Sequence, residues 1–374
     1  MSSISVNTIT DASGGSTTSI NGFTPSVSNM AGRNRIINGG MVFDQRNAGA
    51  SVTPTVDNTF TLDRWSTALT AASKFSVQQS STAATGFTNS LLVTSLSAYS
   101  VGAGDIFALK HTIEGFNVAD FGFGAAGAST VTLSFWVRSS LTGTFGGALQ
   151  NGAQNRSYPF SFTINSANTF EYKTVTIAGD TSGTWVTNNG KGLSLWFSLG
   201  AGATYSGTAN AWASGLYFQP TGATSVVGTS GATFYITGVQ LEEGSVATPF
   251  EHRQYGQELA LCQRYYYVLS AASNQNTFFS STSGYASTQA LCVIPFSNTM
   301  RTNPSLVTSG TASDYRLIMG GSFLTCSSVP TMDQPNPNSA NLIFTVSSGI
   351  VVGYGGQALA NNTTSAFLGF SAEL

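Results

Sequence analysis

The stretch FYITGVQLEEGSVATPFEHRQYGQELALCQRYYY, residues 234–267, decides how this chain is organised. It begins as an apolar strand that carries Glu242 and Glu243, and it continues into a Gly-Ser turn and the sequence Ala-Thr-Pro-Phe. A short polar segment with good helix formers follows, and the stretch ends in consecutive tyrosines. A turn-rich connector between two β-type runs is typical of the junction between two β-domains. We therefore predict a domain boundary between residues 253 and 254.

Before this junction, apolar residues alternate with polar or small residues in short runs. Period-two alternation predicts antiparallel strands with one buried face. The clearest runs lie at residues 107–113, 131–137, 158–164 and 193–199. After Phe234 the apolar parity changes from even to odd at Gly238, which predicts a β-bulge at this glycine.

After the junction we expect one short helix, at residues 254–264, and a second set of strands. The corresponding apolar runs lie at residues 265–268, 290–296, 314–321, 341–346, 349–356 and 366–374. No helix alternates with the strands, which disfavours a parallel α/β fold. The pattern predicts an all-β protein with a jelly-roll or β-sandwich domain at residues 36–253 and a smaller C-terminal β-sandwich domain at residues 254–374.

Residues 1–35 are rich in Ser, Thr, Gly and Asn and contain too few apolar residues for a core of their own. We expect this segment to be extended and to become ordered by docking on another protein.

Composition excludes several classes of function. Charged residues make up 8% of the 374 residues, against roughly 25% in ordinary globular proteins, whereas aromatic residues make up 11% and indicate a folded chain. A formal net charge of −2 with scattered Lys and Arg offers no basic surface, so we predict no nucleic-acid partner. The opening residues lack the features of a secretion signal, and no apolar stretch approaches the ~20 residues that span a bilayer. We predict neither a cleaved signal nor membrane insertion.

Residue types that carry catalysis or bind metals are scarce. The two histidines are His111 and His252, and the three cysteines are far apart without metal-ligand spacing. His111 shares the apolar parity of its strand, which indicates a buried structural residue. Adjacent Glu242 and Glu243 point to opposite faces of a strand, so they cannot form the carboxylate pair that glycoside cleavage requires. We predict no catalytic residue, no metal site and no cofactor, and buried free thiols at the cysteines. A carboxylate pair assembled only by folding is the alternative left open.

Polar and aromatic residues suggest two other kinds of site. Glu251, His252 and Arg253 lie together in the junction, and we interpret them as a hydrogen-bonding joint between domains. Trp136 shares the outward parity of Arg138, and Trp196 lies between two serines on the polar side of its run. All three are candidates either for a sugar ligand, which an indole can stack on, or for a subunit interface. Because exposed large aromatics usually mark association surfaces, we rank the interface first.

Two long blocks resemble a known family. The block AGRNRIINGGMVFDQRNAG at residues 31–49 and the stretch at residues 234–267 resemble, in the same order, blocks of tail fibres and related receptor-binding virion proteins of tailed bacteriophages. The sequence FTLDRWSTAL at residues 60–69 is similar to a further piece of this pattern. For its Asp-Arg-Trp centre we expect a structural role, since such residues can lock a loop by hydrogen bonding and stacking.

The resemblance implies a non-enzymatic structural protein of the virion tail, assembled in the host cytoplasm, that acts as a short tail fibre. Residues 1–35 would attach to other tail proteins, the central domain would be a jelly roll of the carbohydrate-binding-module type, and residues 254–374 would form a knob that faces the host. It further implies a homotrimer that recognises a glycan or protein on the bacterial surface. The alternatives are a capsid decoration or tail-tip protein without direct receptor binding, a polysaccharide-degrading tail spike, and a free carbohydrate-binding module.

Overall fold

Short alternating runs form β-strands throughout the residues that the computed structural model describes, 32–271 and 273–374. These residues form two compact units, the first ending at Arg253 and the second comprising Gln254–Glu373. Both units consist mainly of antiparallel sheets, so the predicted all-β class is confirmed. Most of the predicted attachment segment, residues 1–31, lies outside the described residues.

The described part of the first unit contains thirteen strands and three short 3-10 helices. The strands are β1 (Trp65–Leu69), β2 (Phe75–Ser80), β3 (Ser90–Ser95), β4 (Ile106–Glu114), β5 (Val131–Ser139), β6 (Gly143–Asn151), β7 (Arg156–Ile164), β8 (Glu171–Ile177), β9 (Lys191–Ala201), β10 (Ser206–Gly207), β11 (Ala213–Ser214), β12 (Gln219–Pro220) and β13 (Thr233–Glu243). The 3-10 helices are Gly115–Asn117, Ala119–Phe121 and Ala203–Tyr205. One sheet has six strands in the order β1-β4-β9-β6-β7-β11, and a second has five in the order β2-β3-β13-β5-β8. Strands β10 and β12 form a short parallel pair.

The inner faces of the six- and five-stranded sheets pack against each other and form the core of the first unit. Phe135 of β5 lies 5.0 Å from Phe197 of β9, ring centre to ring centre, in an edge-to-face arrangement. Phe145 of β6 and Phe234 of β13 stack at 6.0 Å. Such pairs contribute about 0.5–1.5 kcal/mol each beyond the area that they bury. Phenylalanines from both sheets therefore hold the sandwich together.

The sequence pattern identified the central strands of this unit correctly. The four alternating runs lie within β4, β5, β7 and β9. The predicted bulge is also confirmed, because the register between β13 and β5 shifts between Thr237 and Gln240. Gly238 lies inside this shift with a φ of 61°, a conformation that residues with a Cβ rarely adopt.

Beyond the bulge, one edge of β13 lacks a neighbouring strand, because β3 pairs with only its first four residues. Residues 34–39, the NRIING part of the first sequence block, occupy this edge. The buried amide of Asn34 donates to the carbonyl of Val239 at 3.1 Å and accepts the N–H of Leu241 at 3.2 Å. The N–H of Val239 in turn donates to the carbonyl of Gly39 at 3.0 Å. The block therefore completes the sheet where β3 stops.

The Asp-Arg-Trp sequence belongs to the same end of the sandwich. Trp65 is fully buried, and its indole N–H donates to the carbonyl of Asn38 at 3.2 Å. The Asn38 amide donates to the carbonyl of Asp63 at 3.0 Å. Arg64 is also buried and donates to the carbonyl of Thr112. These contacts give the three residues the structural role that the sequence predicted.

The second unit begins with one helix, α1 (Tyr255–Gln263), as predicted. Its strands are β14 (Tyr266–Ser270), β15 (Phe278–Ala286), β16 (Gln289–Pro295), β17 (Ser305–Thr308), β18 (Tyr315–Met319), β19 (Ser322–Thr325), β20 (Thr331–Asn336), β21 (Ser339–Thr345), β22 (Gly355–Ala360) and β23 (Phe367–Ser371), with a 3-10 helix at Ala312–Asp314. The sheets have the orders β14-β23-β17 and β19-β18-β22-β15-β16-β21-β20. A separate core, which includes Tyr315, Leu342, Phe344 and Phe370, fills this unit.

One predicted strand of the second unit is wrong. The apolar run at residues 349–356 forms an exposed loop over most of its length, and the strand β22 begins only at Gly355. Gly349 and Gly353 have φ values of 98° and 83°, which belong to turns. Val352 and Tyr354 are 61% and 57% exposed, so their side chains do not contribute to the core.

The three cysteines are buried, as predicted, and none forms a disulfide within the part of the chain that the structure describes. Burial raises the pKa of Cys292 and Cys326 to about 12, so both thiols are protonated at neutral pH. In the described residues, no helix has the length and apolar character needed to cross a membrane.

The adjacent glycines of the first sequence block differ in the space around them. A Cβ added to Gly39 would overlap the carbonyl oxygen of Val239, whereas at Gly40 the nearest atoms are 3.7 Å away. The substitution Gly39→Ala should therefore push the block off the edge of β13. We expect it to lower the free energy of unfolding of the first unit by about 1–3 kcal/mol, and Gly40→Ala to change it by less than about 0.5 kcal/mol.

Urea unfolding followed by tryptophan fluorescence measures this difference. The five tryptophans, at positions 65, 136, 185, 196 and 212, all lie in the first unit, so their emission reports on that unit alone. Equal unfolding midpoints for the two variants would contradict the close approach at Gly39.

Candidate functional site

A groove of about 520 Å³ opens on the outer face of the five-stranded sheet in the first unit. Strands β5 and β8 form its floor, and the segment that follows β13 forms a wall. The lining residues are Phe87, Ser134, Trp136, Tyr172, Gly238, Ala247, Thr248, Pro249, Phe250 and His252. Its volume is within the range of about 300–1,000 Å³ that small-molecule sites occupy.

Two aromatic side chains from neighbouring strands form the floor of the groove. Leu133, Phe135 and Val137 of β5 are buried in the core, so alternation directs Trp136 to the opposite face. Tyr172 of β8 is its direct cross-strand neighbour. The two rings are 5.3 Å apart and tilted by 47°, and Tyr172 is 44% exposed. Together they present a continuous aromatic surface to solvent.

Three further rings form the opposite wall. Phe87 lies 5.0 Å from Phe250 and 5.4 Å from His252, and Phe250 and His252 are 4.9 Å apart. The sequence suggested neither phenylalanine as a site residue. Phe87 lies in a connecting segment without alternation, and Phe250 belongs to a block whose apolar residues read as parts of the junction.

The wall is held in place by hydrogen bonds to the end of β13. The carboxylate of Glu242, which is 1% exposed, accepts the backbone N–H of Thr248 at 2.8 Å and its hydroxyl at 2.6 Å. The side-chain oxygen of Gln240 accepts the N–H of Glu251 at 2.8 Å. Glu243, by contrast, is exposed and accepts the Ser129 hydroxyl, so the adjacent glutamates do point to opposite faces. The groove therefore has a fixed wall before any ligand arrives.

The indole N–H groups distinguish Trp136 from three of the other tryptophans. Trp65, Trp185 and Trp212 donate to backbone carbonyls, whereas that of Trp136 has no acceptor among the described residues. The Tyr172 hydroxyl likewise has no described partner. Both polar groups are available to a ligand.

The junction residues contact the first sequence block. The Glu251 carboxylate accepts the N–H groups of Gly32 at 2.7 Å and Asn34 at 2.8 Å. Arg253 donates to the carbonyls of Asn34 and of Ile36, the latter at 3.1 Å. All of these partners belong to the first unit, and a joint between domains stays a prediction. His252 takes part in the groove instead.

Trp196 occupies a different environment from the predicted one. It faces away from the sandwich core, as its parity indicated, but it is only 3% exposed. Phe218 covers it edge-on at 4.7 Å, and Tyr205 packs against Phe218 at 5.7 Å. The segment at residues 203–220 thus buries this face of the six-stranded sheet, which alternation within β9 could not show. The expectation that Trp196 is accessible to a ligand or a second subunit is therefore wrong.

Arg138 lies two residues beyond Trp136 on the same face of β5. Its Nε donates to the carbonyl of Asn168 at 2.9 Å. Its guanidinium lies over the ring of Tyr235 at 4.9 Å and near that of Phe170 at 6.0 Å. The structure thus brings Trp136 and Arg138 together and separates Trp196 from both.

The described residues offer no cluster of metal-ligating side chains. No group of three or more His, Cys, Asp or Glu side chains there is close enough to hold a metal ion. Asp180 forms a two-point ion pair with Arg156 at 2.6 and 2.7 Å, and Asp120 pairs with Arg35 at 2.6 Å. No residue that lines the groove is Asp or Glu. The groove is thus built for apolar and hydrogen-bonding contact.

Two other cavities offer less to a ligand. A groove of about 430 Å³ in the second unit is lined by Ser280, Ser281, Thr282, Ser283, Leu291, Cys292, Val293 and Asn341. It has hydroxyl groups but no aromatic ring. A cavity of about 140 Å³ beside Phe123 and Trp185 is small, and the Trp185 indole N–H donates to the carbonyl of Ser182 at 3.1 Å.

His111 is the buried structural residue that its parity predicted. It is 1% exposed, and its Nε2 lies 3.0 Å from the carbonyl of Ile37. Trp65 packs on the imidazole at 5.0 Å. Burial, and then the positive charge of Arg64, hold the pKa of His111 well below its ordinary value.

No protein-family model matches the sequence, and no curated protein resembles it closely enough to count as a match. Among solved structures, it is similar to the enzymatically active domain of tailspike protein 4 of Bacteriophage CBA120, at 12% identity over 48% of this chain and a TM-score of 0.29. The chain spans about a fifth, 19%, of that protein.

Carbohydrate-binding modules are similar at the same level. A family 11 module from Clostridium thermocellum is 9% identical over 53% of this chain and 97% of the module, with a TM-score of 0.27. A xylan-binding domain from Paenibacillus barcinonensis is 12% identical over 54% of this chain and 99% of the domain, with a TM-score of 0.25. These values are too low to carry an argument about family or function.

The buried imidazole predicts that the first unit loses stability in mild acid. Because its folded-state pKa is depressed, His111 resists protonation in the folded state, whereas the unfolded chain takes up a proton near pH 6.5. The free energy of unfolding should therefore fall as the pH drops from about 7 to 5, with a slope of up to about 1.4 kcal/mol per pH unit.

The variant His111→Gln, which keeps an amide donor for Ile37 but cannot titrate, should flatten this slope. The control His252→Gln should retain it. Urea midpoints from tryptophan fluorescence at several pH values provide the measurement. A slope unchanged in His111→Gln would contradict the assignment.

Proposed function

We propose that this chain is a non-enzymatic, sugar-binding structural protein of a tailed-phage virion, and that its sugar binds in the groove beside Trp136. One observation carries the binding part of the proposal. The partly exposed ring of Trp136 and the exposed ring of Tyr172 face Phe87, Phe250 and His252 across a groove whose wall is fixed by buried hydrogen bonds.

This arrangement suits the chemistry of a sugar ring. A pyranose has an apolar C–H face that stacks on aromatic side chains and a rim of hydroxyl groups that need hydrogen-bond partners. The paired rings of Trp136 and Tyr172 supply the stacking surface. The free indole N–H, the free phenol and the imidazole of His252 supply polar groups at its edge.

Binding without cleavage is what the groove chemistry supports. Glycoside hydrolysis uses two carboxyl groups about 5–10 Å apart around the scissile bond. The residues that line this groove include none. Glu251, which lies between Phe250 and His252 of the wall, accepts the backbone N–H groups of Gly32 and Asn34, and Glu242 is buried and bonded to Thr248.

The surroundings of Trp136 also favour a role in ligand binding over the role in a subunit interface that the sequence analysis ranked first. The indole lies in the floor of a groove whose wall is fixed by buried hydrogen bonds, and aromatic-lined grooves with a few polar groups are typical of ligand sites. A homotrimer, if formed, would then use other surfaces of the chain.

The virion part of the proposal rests on the sequence blocks at residues 31–49 and 234–267. In this view the chain is a short tail fibre that binds the bacterial surface, is attached by residues 1–35 and is assembled in the host cytoplasm. Immunogold labelling of intact particles tests this part separately. Gold at the tail supports a fibre, and gold on the head would indicate a decoration protein.

Binding to an array of neutral and acidic bacterial polysaccharides tests the groove. Trp136→Ala should reduce affinity for every bound glycan at least about fivefold, since removing a stacked aromatic at a binding site commonly costs about 1–3 kcal/mol or more. Trp185→Ala is the matched control, because Trp185 is also partly exposed but its N–H is bonded within the chain. This variant should bind as the unaltered protein does.

Light scattering on the same samples separates the two interpretations of Trp136. An unchanged oligomer with lost binding supports the groove. Loss of the oligomer with retained binding by the remaining protein would contradict it and favour the interface. Oligosaccharide release from any polysaccharide on the array would contradict the absence of catalysis.

A further inference from the structure

Arg138 gives the groove a charged neighbour. On β5 it lies two residues from Trp136 and on the same face, so the two Cα atoms are about 7 Å apart along the strand. Its cross-strand partner on β13 is Tyr235, and that of Trp136 is Thr237. The aromatic floor thus continues from Trp136 towards a guanidinium.

The guanidinium is held in place from three sides without being neutralised. The Asn168 carbonyl accepts its Nε, and the rings of Tyr235 and Phe170 lie beneath and beside it. Stacking and one backbone hydrogen bond orient the planar group and leave its two terminal nitrogens for another acceptor.

Three other arginines of the first unit have a carboxylate partner. Arg35 and Arg156 form ion pairs with aspartates at 2.6 Å, and Arg253 lies 3.9 Å from the Glu251 carboxylate. Arg138 has no ion pair among the described residues.

Glu171, the acidic residue on the strand next to Arg138, does not pair with Arg138. Glu171 of β8 is opposite Val137, so its side chain leaves the sheet on the other face. It pairs with Lys173 at 2.6 Å and accepts the N–H groups of Asn165 and Ser166 at 2.8 Å. Arg138 is therefore an oriented and uncompensated cation at the end of an aromatic floor.

We infer that the glycan bound in the groove is acidic, and that Arg138 binds a carboxylate or phosphate on the sugar next to the one that stacks on Trp136. This inference rests on the proposed function and adds the chemical class of the ligand. Arginine suits the role because its paired N–H groups match the two oxygens of a carboxylate or phosphate. One sugar ring can bridge the spacing between Trp136 and Arg138.

Matched glycan pairs test the inference. The probes are hexuronate polymers and their carboxyl-reduced forms, sialylated and unsialylated oligosaccharides, and phosphorylated glycans and their dephosphorylated forms, bound to the full chain at low salt. The unaltered protein should bind the charged member of at least one pair about tenfold or more tightly, as a charge-assisted hydrogen bond would require. The pair that shows the preference tells a carboxylate from a phosphate.

Variants at Arg138 then assign the preference. Arg138→Gln should bind the charged and neutral members equally. Arg138→Lys should recover part of the preference, because it keeps the charge but loses the two-point geometry. Arg46→Gln is the control, since Arg46 also stacks on a ring, that of Phe60 at 5.0 Å, but does not lie beside Trp136 on β5. The control should retain the full preference.

The outcomes separate this inference from the proposed function. Equal binding of both members of every pair, or a preference that survives in Arg138→Gln, would overturn the inference. The proposal that glycan binds in the groove would still hold if Trp136→Ala abolished that binding. Binding of no glycan at all, or binding that Trp136→Ala leaves intact, would overturn both proposals.

Discussion

The hydrogen bonds between the start of the described chain and the end of β13 are the constraint on which the first unit depends. Asn34 bonds the backbone of β13 where β3 no longer reaches it, and Glu251 and Arg253 bond the backbone at residues 32–36 from partners about 217 residues away in sequence. The bonds of Asn34 to β13 are buried, and those of Glu251 to Asn34 and of Arg253 to Ile36 are partly buried, so an unsatisfied partner would be costly. Residues 32–39 and 239–253 are thus held together as one structural element, because residues 34–39 fill the sheet edge that β3 leaves open.

The groove follows from this arrangement. Because Glu251 is tied to residues 32–34 and Thr248 to Glu242, the segment between them cannot move away from the sheet. That segment carries Phe250, which packs on Phe87 above the bulge at Gly238. A wall fixed in advance reduces the ordering cost that a ligand would otherwise meet on binding. The same contacts that complete the sheet therefore also position the aromatic wall of the groove, and one sequence block supplies both.

The sequence predicted the features of this fold that depend on alternation within a strand. It did not predict the features that depend on packing between distant segments. Parity placed Trp136 and Arg138 on the outer face of β5 correctly, and the change at Gly238 revealed the bulge. Parity also placed Trp196 on an outer face correctly. Alternation within β9 could not predict, however, that the segment at residues 203–220 covers this side chain. The sequence did not predict strand β6, because consecutive glycines at 146 and 147 are more typical of a turn. In the structure Pro220 packs closely against Gly146, and the backbone of Trp196 packs closely against Gly147, so neither position has room for a Cβ. Tyr172 and Phe250 were missed as site residues because their roles depend on neighbours in other segments.

Hydrogen exchange of the full chain, with and without a glycan that it binds, tests most directly whether recognition occurs in this groove. The account predicts slower amide exchange in peptides that cover residues 133–139, 168–175 and 246–253, because a bound sugar would shield and stabilise these segments. Peptides of the second unit, residues 254–373, should exchange at unchanged rates. Protection confined to the second unit, or absent from the three groove segments while glycan is bound, would contradict the account.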